Sequence, residues 1–235
     1  MSRVGTRNEA ARVQWLEQTL RNIPDGFRIL DAGAGEQQFR KFCAHLNYVA
    51  QDFGQYDGTG NDAALQTGKW DQSQLDIVCD ISTIPEPDAS FDAVMCTEVL
   101  EHLPDPLAAL REFARLLRPG GTLVLTAPFC SLTHFSPYHF ASGFNRYFYE
   151  THLPALSFDV LEITPNGNFF EYLGQEIRRI PRVAERYSGN LPGWLDRLGI
   201  WMTLRMLGRF SRRDQGSSEL LCFGYHVLAR KRDES

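Results

Sequence analysis

Four carboxylates in the first hundred residues each close a short apolar run. Asp31 follows Ile29-Leu30, Asp52 follows Asn47–Gln51, Asp80 follows Leu75–Cys79, and Glu98 stands just beyond Phe91–Cys96. The first lies beside two glycines. Gly33 allows a tight turn, and Gly35 lets a ligand come close to bare backbone, with no Cβ in the way. A dinucleotide site would need a third glycine three residues beyond Gly35, and that position holds Gln38. Asp31 would sit badly beside a pyrophosphate but well beside a cationic or amine-bearing ligand. The turn therefore argues against NAD and for S-adenosylmethionine, which carries an ammonium and a sulfonium and no phosphate. Asp52, with Phe53 next to it, falls 19 residues after Gly33, where a strand-end carboxylate can accept both ribose hydroxyls. Asp80 can accept the adenine amino group while Ile81 packs on the ring.

A second group of chemically able residues lies later. Phe129 to Phe148 is dense in aromatics and includes His134 and His139, the near-neutral bases of the chain's second half that follow a strand directly. Two readings stand side by side: an aromatic packing segment under a lid, or an acceptor pocket in which one of these histidines takes a proton.

The elements that must position these residues can be read in order. Thr6 and Glu9 form a capping-box pattern ahead of Ala10, Val13, Leu16 and Leu20, which predicts a helix from about Arg7 to Asn22. Arg28 to Gly35 reads as a buried strand breaking into the glycine turn, and Phe39, Phe42, Cys43 and Leu46 suggest a helix after it. Strands follow at 47–51, 75–79 and 91–96. Gln55 to Ser73 is polar and glycine-rich and reads as a loop. Asp105-Pro106 caps a helix running to about Leu117, and Arg118-Pro-Gly-Gly121 ends it ahead of a fifth strand, Thr122 to Ala127. Strands alternating with helical stretches imply an α/β fold with a parallel, doubly wound sheet.

Taken together, Asp31-Ala-Gly-Ala-Gly35, Asp52, Asp80-Ile81, Phe91 to His102 and Leu117-Arg-Pro-Gly-Gly-Thr-Leu-Val-Leu125 resemble class I S-adenosylmethionine-dependent methyltransferases. The resemblance covers roughly residues 28–128. It implies a seven-stranded, mostly parallel Rossmann-like sheet whose last strand is antiparallel. It also implies that Asp31, Gly33 and Gly35 hold the methionine portion of the cofactor, Asp52 the ribose, Asp80 and Ile81 the adenine, and Thr97 or Glu98 the floor beneath the sulfonium. The run Glu98-x-x-Glu101-His102 is also similar to a metal-binding motif of some small-RNA-end and quinone O-methyltransferases. The reading adopted is that no metal binds and that these residues line the cofactor floor or cap the next helix.

The chain has 235 residues, enough for one α/β domain with a full core, and its 43% hydrophobic and 23% charged residues are ordinary for a globular protein. A net charge of -5 disfavours a general nucleic-acid surface. Five scattered cysteines without a Cys-x-x-Cys pair read as thiols in a reducing, cytoplasmic setting, and no signal core or membrane-length apolar run is present. One domain is expected: an N-terminal helix in 1–25, a cofactor-binding half in 28–128, the aromatic acceptor segment in 129–157 and a helical insertion or cover in 169–216. The insertion separates strand six, 158–164, from strand seven, 220–229, where the fold needs only a hairpin. Its helical stripe from Phe169 to Tyr187 should bend or break at Pro181. Its second part, 191–213, carries five arginines against Asp196 and apolar residues around most of its circumference. Burial is the favoured reading there, and weak contact with a membrane surface the other. The function expected is methyl transfer to a small-molecule, glycan or natural-product acceptor, at oxygen. Transfer to an amine, or a cofactor-binding subunit without catalysis, are the alternatives.

Overall fold

A computed structural model describes residues 3–61, 65, 66 and 68–233. Residues 62–64 and 67, part of the loop expected at 55–73, lie outside the described residues, as do the first two residues of the expected N-terminal stretch.

The chain divides into two compact units. The larger comprises residues 14–164 and 224–235 and the smaller residues 1–13 and 165–223. The strands are β1 (Arg28–Ala32), β2 (Asn47–Asp52), β3 (Ile77–Val78), β4 (Phe91–Thr97), β5 (Leu117–Pro128), β6 (Phe158–Asn166) and β7 (Gly224–Lys231), all in the larger unit but for the last two residues of β6. They form one sheet in the order β3-β2-β1-β4-β5-β7-β6. Strands β1 to β5 pair in parallel, and β7 runs antiparallel to β5 from Thr122–Arg230 to Pro128–Gly224. This is the mostly parallel, seven-stranded α/β sheet expected. Strand order reverses between β1 and β4, so their C-terminal ends open a crevice where such sheets bind ligands.

Continuous apolar runs fit strands covered on both faces. Ile29 and Leu30 of β1 and Ala93 to Cys96 of β4 are fully buried. Helix α1 (Asn8–Arg21) presents Leu16 and Leu20 to the interior. Helix α2 (Pro106–Leu116) starts as its sequence dictates: the Asp105 carboxylate accepts from the Ala108 N–H at 3.0 Å, and Pro106 takes the first turn. Helix α3 (Arg146–Ala155) is capped by Asn145. All five cysteines are free thiols.

Two expectations fail here. The stretch after the glycine turn is not an α-helix but a single 3-10 turn, Arg40–Phe42. Gly35 and Gln37 both take positive φ, +51° and +57°, which breaks a right-handed helix at its start. The chain must also enter β2 by Asn47. The third strand is two residues long, because beyond it Asp80 turns the chain through bonds from Ser82.

The smaller unit holds α4 (Phe169–Ser188) and α5 (Trp194–Ser211). The Asn168 side chain caps α4, and Gly189 closes it in the left-handed conformation. Helix α4 runs through Pro181 as one element instead of breaking there. Val4, Leu204 and Leu207 form a core with Phe170, Leu173, Ile177 and Ile200 packed on it. Glu171 ties three segments: one carboxylate oxygen accepts from the Gly5 N–H at 2.7 Å and the other from the Ser211 hydroxyl at 2.9 Å. The expected burial of 191–213 is overturned. Leu204, Leu207 and Gly208 are buried, whereas Trp194 is 74% exposed, Trp201 42% and Met202 59%. A helix apolar on every side can hide only the stripe that meets its neighbour.

Candidate active site at the switch point

The glycine turn is held from β2. The N–H groups of Gly33 and Ala34 both donate to the Gln51 carbonyl at 2.9 Å. The Gln51 side chain, fully buried, accepts from Gly33 N–H at 3.3 Å and donates to the Cys79 carbonyl at 2.8 Å, linking the ends of β1 and β3. Gly33 has φ +76°, and a Cβ there would meet Val99 at 2.5 Å. Gly35 has φ +51°, and a Cβ there would come 3.2 Å from the Trp70 ring. Both glycines are therefore required by backbone conformation and by close neighbours.

Asp31 sits at the end of β1, buried. Its carboxylate accepts from the Tyr48 hydroxyl at 2.5 Å, which the register permits because Asp31 pairs with Ala50, two residues beyond Tyr48. Burial pushes its pKa up to about 7, the Tyr48 bond opposes that, and the Asp52 charge adds to it. Asp52 ends β2 and is also buried. One oxygen accepts from the Gly35 N–H at 3.0 Å and the other from the Gly54 N–H at 2.9 Å, so it braces the turn from the neighbouring strand.

The remaining residues expected at the cofactor are placed as follows. Phe53 stacks edge-on against Tyr138 at 5.0 Å. Asp80 is exposed after β3; bonds from the Ser82 hydroxyl and N–H hold its carboxyl below the usual range, and Ile81 beside it is buried. Thr97 closes β4. Glu98 follows with φ +55°, unusual for a residue with a side chain, and its carboxylate accepts from the Thr126 hydroxyl at 3.0 Å. Strained backbone of this kind gathers at functional sites. Asp31, Gly33, Gly35, Asp52, Thr97 and Glu98 thus share the C-terminal edge of three adjacent strands.

His134 and His139 come together, and with His102 at the end of the Glu98-x-x-Glu101-His102 run. Ring centroids are 4.6 Å apart for His102–His134, 4.8 Å for His134–His139 and 5.7 Å for His102–His139. Burial, then the neighbouring His134, pushes the His102 pKa down to about 3, and the same two causes lower His139. Both rings are neutral near pH 7 and keep a lone pair. The loop carrying His134 and His139 is docked on the turn after β4. The Glu101 carbonyl accepts from the Phe140 and Ala141 N–H groups at 2.9 and 3.1 Å.

An aromatic wall joins this loop to residues 56–70. Tyr56 stacks on Phe135 at 4.9 Å and meets Trp70 edge-on at 5.0 Å, while Phe135 also stacks on His102 at 5.0 Å. Sequence reading missed this wall. Trp70 and Tyr56 lie in an irregular loop where no periodicity assigns a partner. Tyr48 and Gln51 were readable only as strand residues, although their alternation with Asp52 along β2 carried a usable hint.

Comparison with known proteins agrees with this geometry. Residues 30–125 match the sequence profile of a methyltransferase domain. A ubiquinone biosynthesis O-methyltransferase of Xanthomonas axonopodis pv. citri (strain 306) is 37% identical over 106 residues, 44% of each chain. The matches to the first curated relatives span between 17% and 49% of those proteins' length. Among solved structures, the [4+2]-cyclase SpnF superposes with a TM-score of 0.59 at 19% identity, covering 100% of this chain and 85% of that one. Phosphoethanolamine N-methyltransferase 2 of Haemonchus contortus, solved with phosphomonomethylethanolamine and S-adenosylhomocysteine, gives 0.55 at 17% identity, covering 95% of this chain and 53% of that one. At such identities the structural likeness concerns the fold alone.

Proposed function

We propose that the chain is a class I S-adenosylmethionine-dependent methyltransferase, moving a methyl group from S-adenosylmethionine to a hydroxyl oxygen of a small-molecule, glycan or natural-product acceptor, a reading supported by the methyltransferase-domain match over residues 30–125. The observation that carries this is the convergence of Asp31, the Gly33–Gly35 turn, Asp52 and Glu98 at the switch point between β1 and β4. In this reading Asp31 faces the cofactor's ammonium, which draws its carboxyl back to the charged form. Asp52 with Phe53 holds the ribose, Asp80 and Ile81 the adenine, and Thr97 and Glu98 lie under the sulfonium.

Methyl transfer is an in-line displacement. The acceptor oxygen attacks the methyl carbon, and the carbon–sulfur bond breaks with its electron pair going to sulfur, releasing S-adenosylhomocysteine. Positioning supplies most of the acceleration. The hydroxyl proton goes to the lone pair of His134 or His139. Oxygen is favoured over nitrogen because the curated relative is named an O-methyltransferase.

The test is incubation with methyl-labelled S-adenosylmethionine and fractions of a metabolite extract, with the labelled product identified by mass and NMR. Label in a methyl ether supports the reading, and label in a methyl ester replaces the hydroxyl with a carboxylate acceptor that needs no base. Label on nitrogen replaces it with amine methylation. S-adenosylhomocysteine binding without turnover on any fraction makes the chain a cofactor-binding subunit.

A second partner is favoured by one observation. Helix α5 exposes Trp194, Leu195, Trp201 and Met202 alongside Arg197, Arg205 and Arg209, a combination suited to weak contact with an anionic membrane surface. No described helix is long and apolar enough to cross a membrane.

A further inference from the structure

We propose that His102, His134 and His139 form a binding site for a divalent transition-metal ion of the zinc class, with Glu101 as its carboxylate partner. One ligand atom from each of the three imidazoles lies within 4.8 Å of those of the other two. The Glu101 side chain is 1% exposed, and one of its oxygens is 3.7 Å from Nε2 of His102 and 3.8 Å from Nε2 of His134. Those separations are too long for hydrogen bonds. They are close to the roughly 3.4 Å between ligand atoms around a tetrahedral ion bonded at about 2.0–2.1 Å.

The outer contacts orient the rings for coordination. Nδ1–H of His102 donates to the Tyr138 carbonyl at 2.5 Å, and Nδ1–H of His134 donates to the Leu132 carbonyl at 2.8 Å. In each ring this fixes the tautomer in which Nε2 carries the lone pair. Metal-ligating histidines are held in the same way, by a carbonyl on the other nitrogen. The buried Nε2 of His102 and Nδ1 of His139 have no hydrogen-bond partner among the described residues. A core histidine kept for packing would be expected to satisfy both nitrogens.

The donor set chooses the class of ion. Imidazole nitrogens with one carboxylate suit zinc, cobalt, nickel or iron, whereas magnesium and calcium prefer oxygen ligands throughout. The set differs from the Glu98, Glu101 and His102 grouping that the sequence suggested, because the Glu98 carboxylate is turned to Thr126. His134 and His139 supply the missing ligands from a loop more than thirty positions away. A bound ion would clamp that loop to the turn after β4. It would use the same lone pairs as a proton acceptor, so metal loading and a histidine base exclude each other atom by atom. The site itself rests on side-chain geometry and not on the methyl-transfer reading.

The experiment uses the full chain, stripped of metal and dialysed against Zn2+ and, separately, Co2+. About one equivalent of Zn2+ is expected, with cobalt giving the visible bands of nitrogen–oxygen coordination and zinc raising the melting temperature. A His134→Ala, His139→Ala double variant, shown to be folded by circular dichroism, should bind zinc at least tenfold more weakly and lose the thermal shift. Cys130→Ser should keep both. Absence of stoichiometric zinc or cobalt binding to folded protein, or undiminished binding by the double variant, overturns the proposal. S-adenosylhomocysteine affinity measured on the same samples keeps a failure of this site separate from a failure of the cofactor site.

Discussion

The Tyr48 hydroxyl reaches across from β2 to the Asp31 carboxylate on β1, 2.5 Å away, in the buried root of the glycine turn. That bond only partly offsets the burial that raises the Asp31 pKa from 3.8 to about 7. The folded chain therefore holds this proton more tightly than the unfolded chain. The contribution to stability is full below about pH 4 and is lost as pH rises through 7. A cationic cofactor favours the charged carboxylate, so S-adenosylhomocysteine, with the same ammonium, should bind more tightly at pH 8 than at pH 6. Calorimetry in buffers of different ionisation enthalpy should show proton release on binding near pH 6.5, and Asp31→Asn should flatten both effects. Affinity that does not vary with pH in the wild type would count against Asp31 as the ammonium partner.

Asp52 braces Gly35 and Gly54 and, in the proposed function, faces the ribose, and two variants separate these roles. Asp52→Ala removes every acceptor and should cost on the order of 1.5–3 kcal/mol of cofactor affinity together with a lower melting temperature. Asp52→Asn keeps one acceptor oxygen and should lose less stability than affinity. Unchanged S-adenosylhomocysteine affinity in both variants would remove Asp52 from the ribose site.

Glu98 holds a left-handed backbone, which disfavours any residue with a Cβ. Glu98→Gly should therefore be more stable to urea than Glu98→Ala by about 1 kcal/mol, although both lose the bond from Thr126. If glycine proves the less stable of the two, the backbone there is not under strain.

The exposed apolar face of α5 predicts weak, salt-sensitive attachment to anionic vesicles in a flotation assay, each nearby arginine adding about 1 kcal/mol. Replacing Trp194 and Trp201 with Glu should abolish flotation while changing unfolding stability by less than about 1 kcal/mol. No flotation of the wild-type chain at low salt would end the membrane reading.

What could be read from the sequence divides along physical lines. Strands β1, β4 and β5, capped helix α2 and the acids at strand ends were legible because buried runs, Pro at a first turn and strand-end spacing are local signals. The helix expected after Gly35 failed because Gln37 takes a positive φ that its residue type does not announce. The burial expected for α5 failed because composition says how apolar a helix is, not how much neighbour it meets. The histidine cluster needed the fold itself. His102 and His134 are 32 positions apart in the sequence and 4.6 Å apart between rings.

The stretch between β6 and β7 begins and ends at almost one point, since the Phe223 N–H donates to the Asn166 carbonyl at 2.9 Å. A peptide bridge of two or three residues could span that gap, so roughly fifty residues can be exchanged as a cassette without redirecting either strand. Any graft would have to bring its own partners for Gly5 and Val4, because Glu171 and Arg178 currently answer them. Exchange of the whole segment would thus leave the C-terminal ends of β1, β2 and β4 as they are.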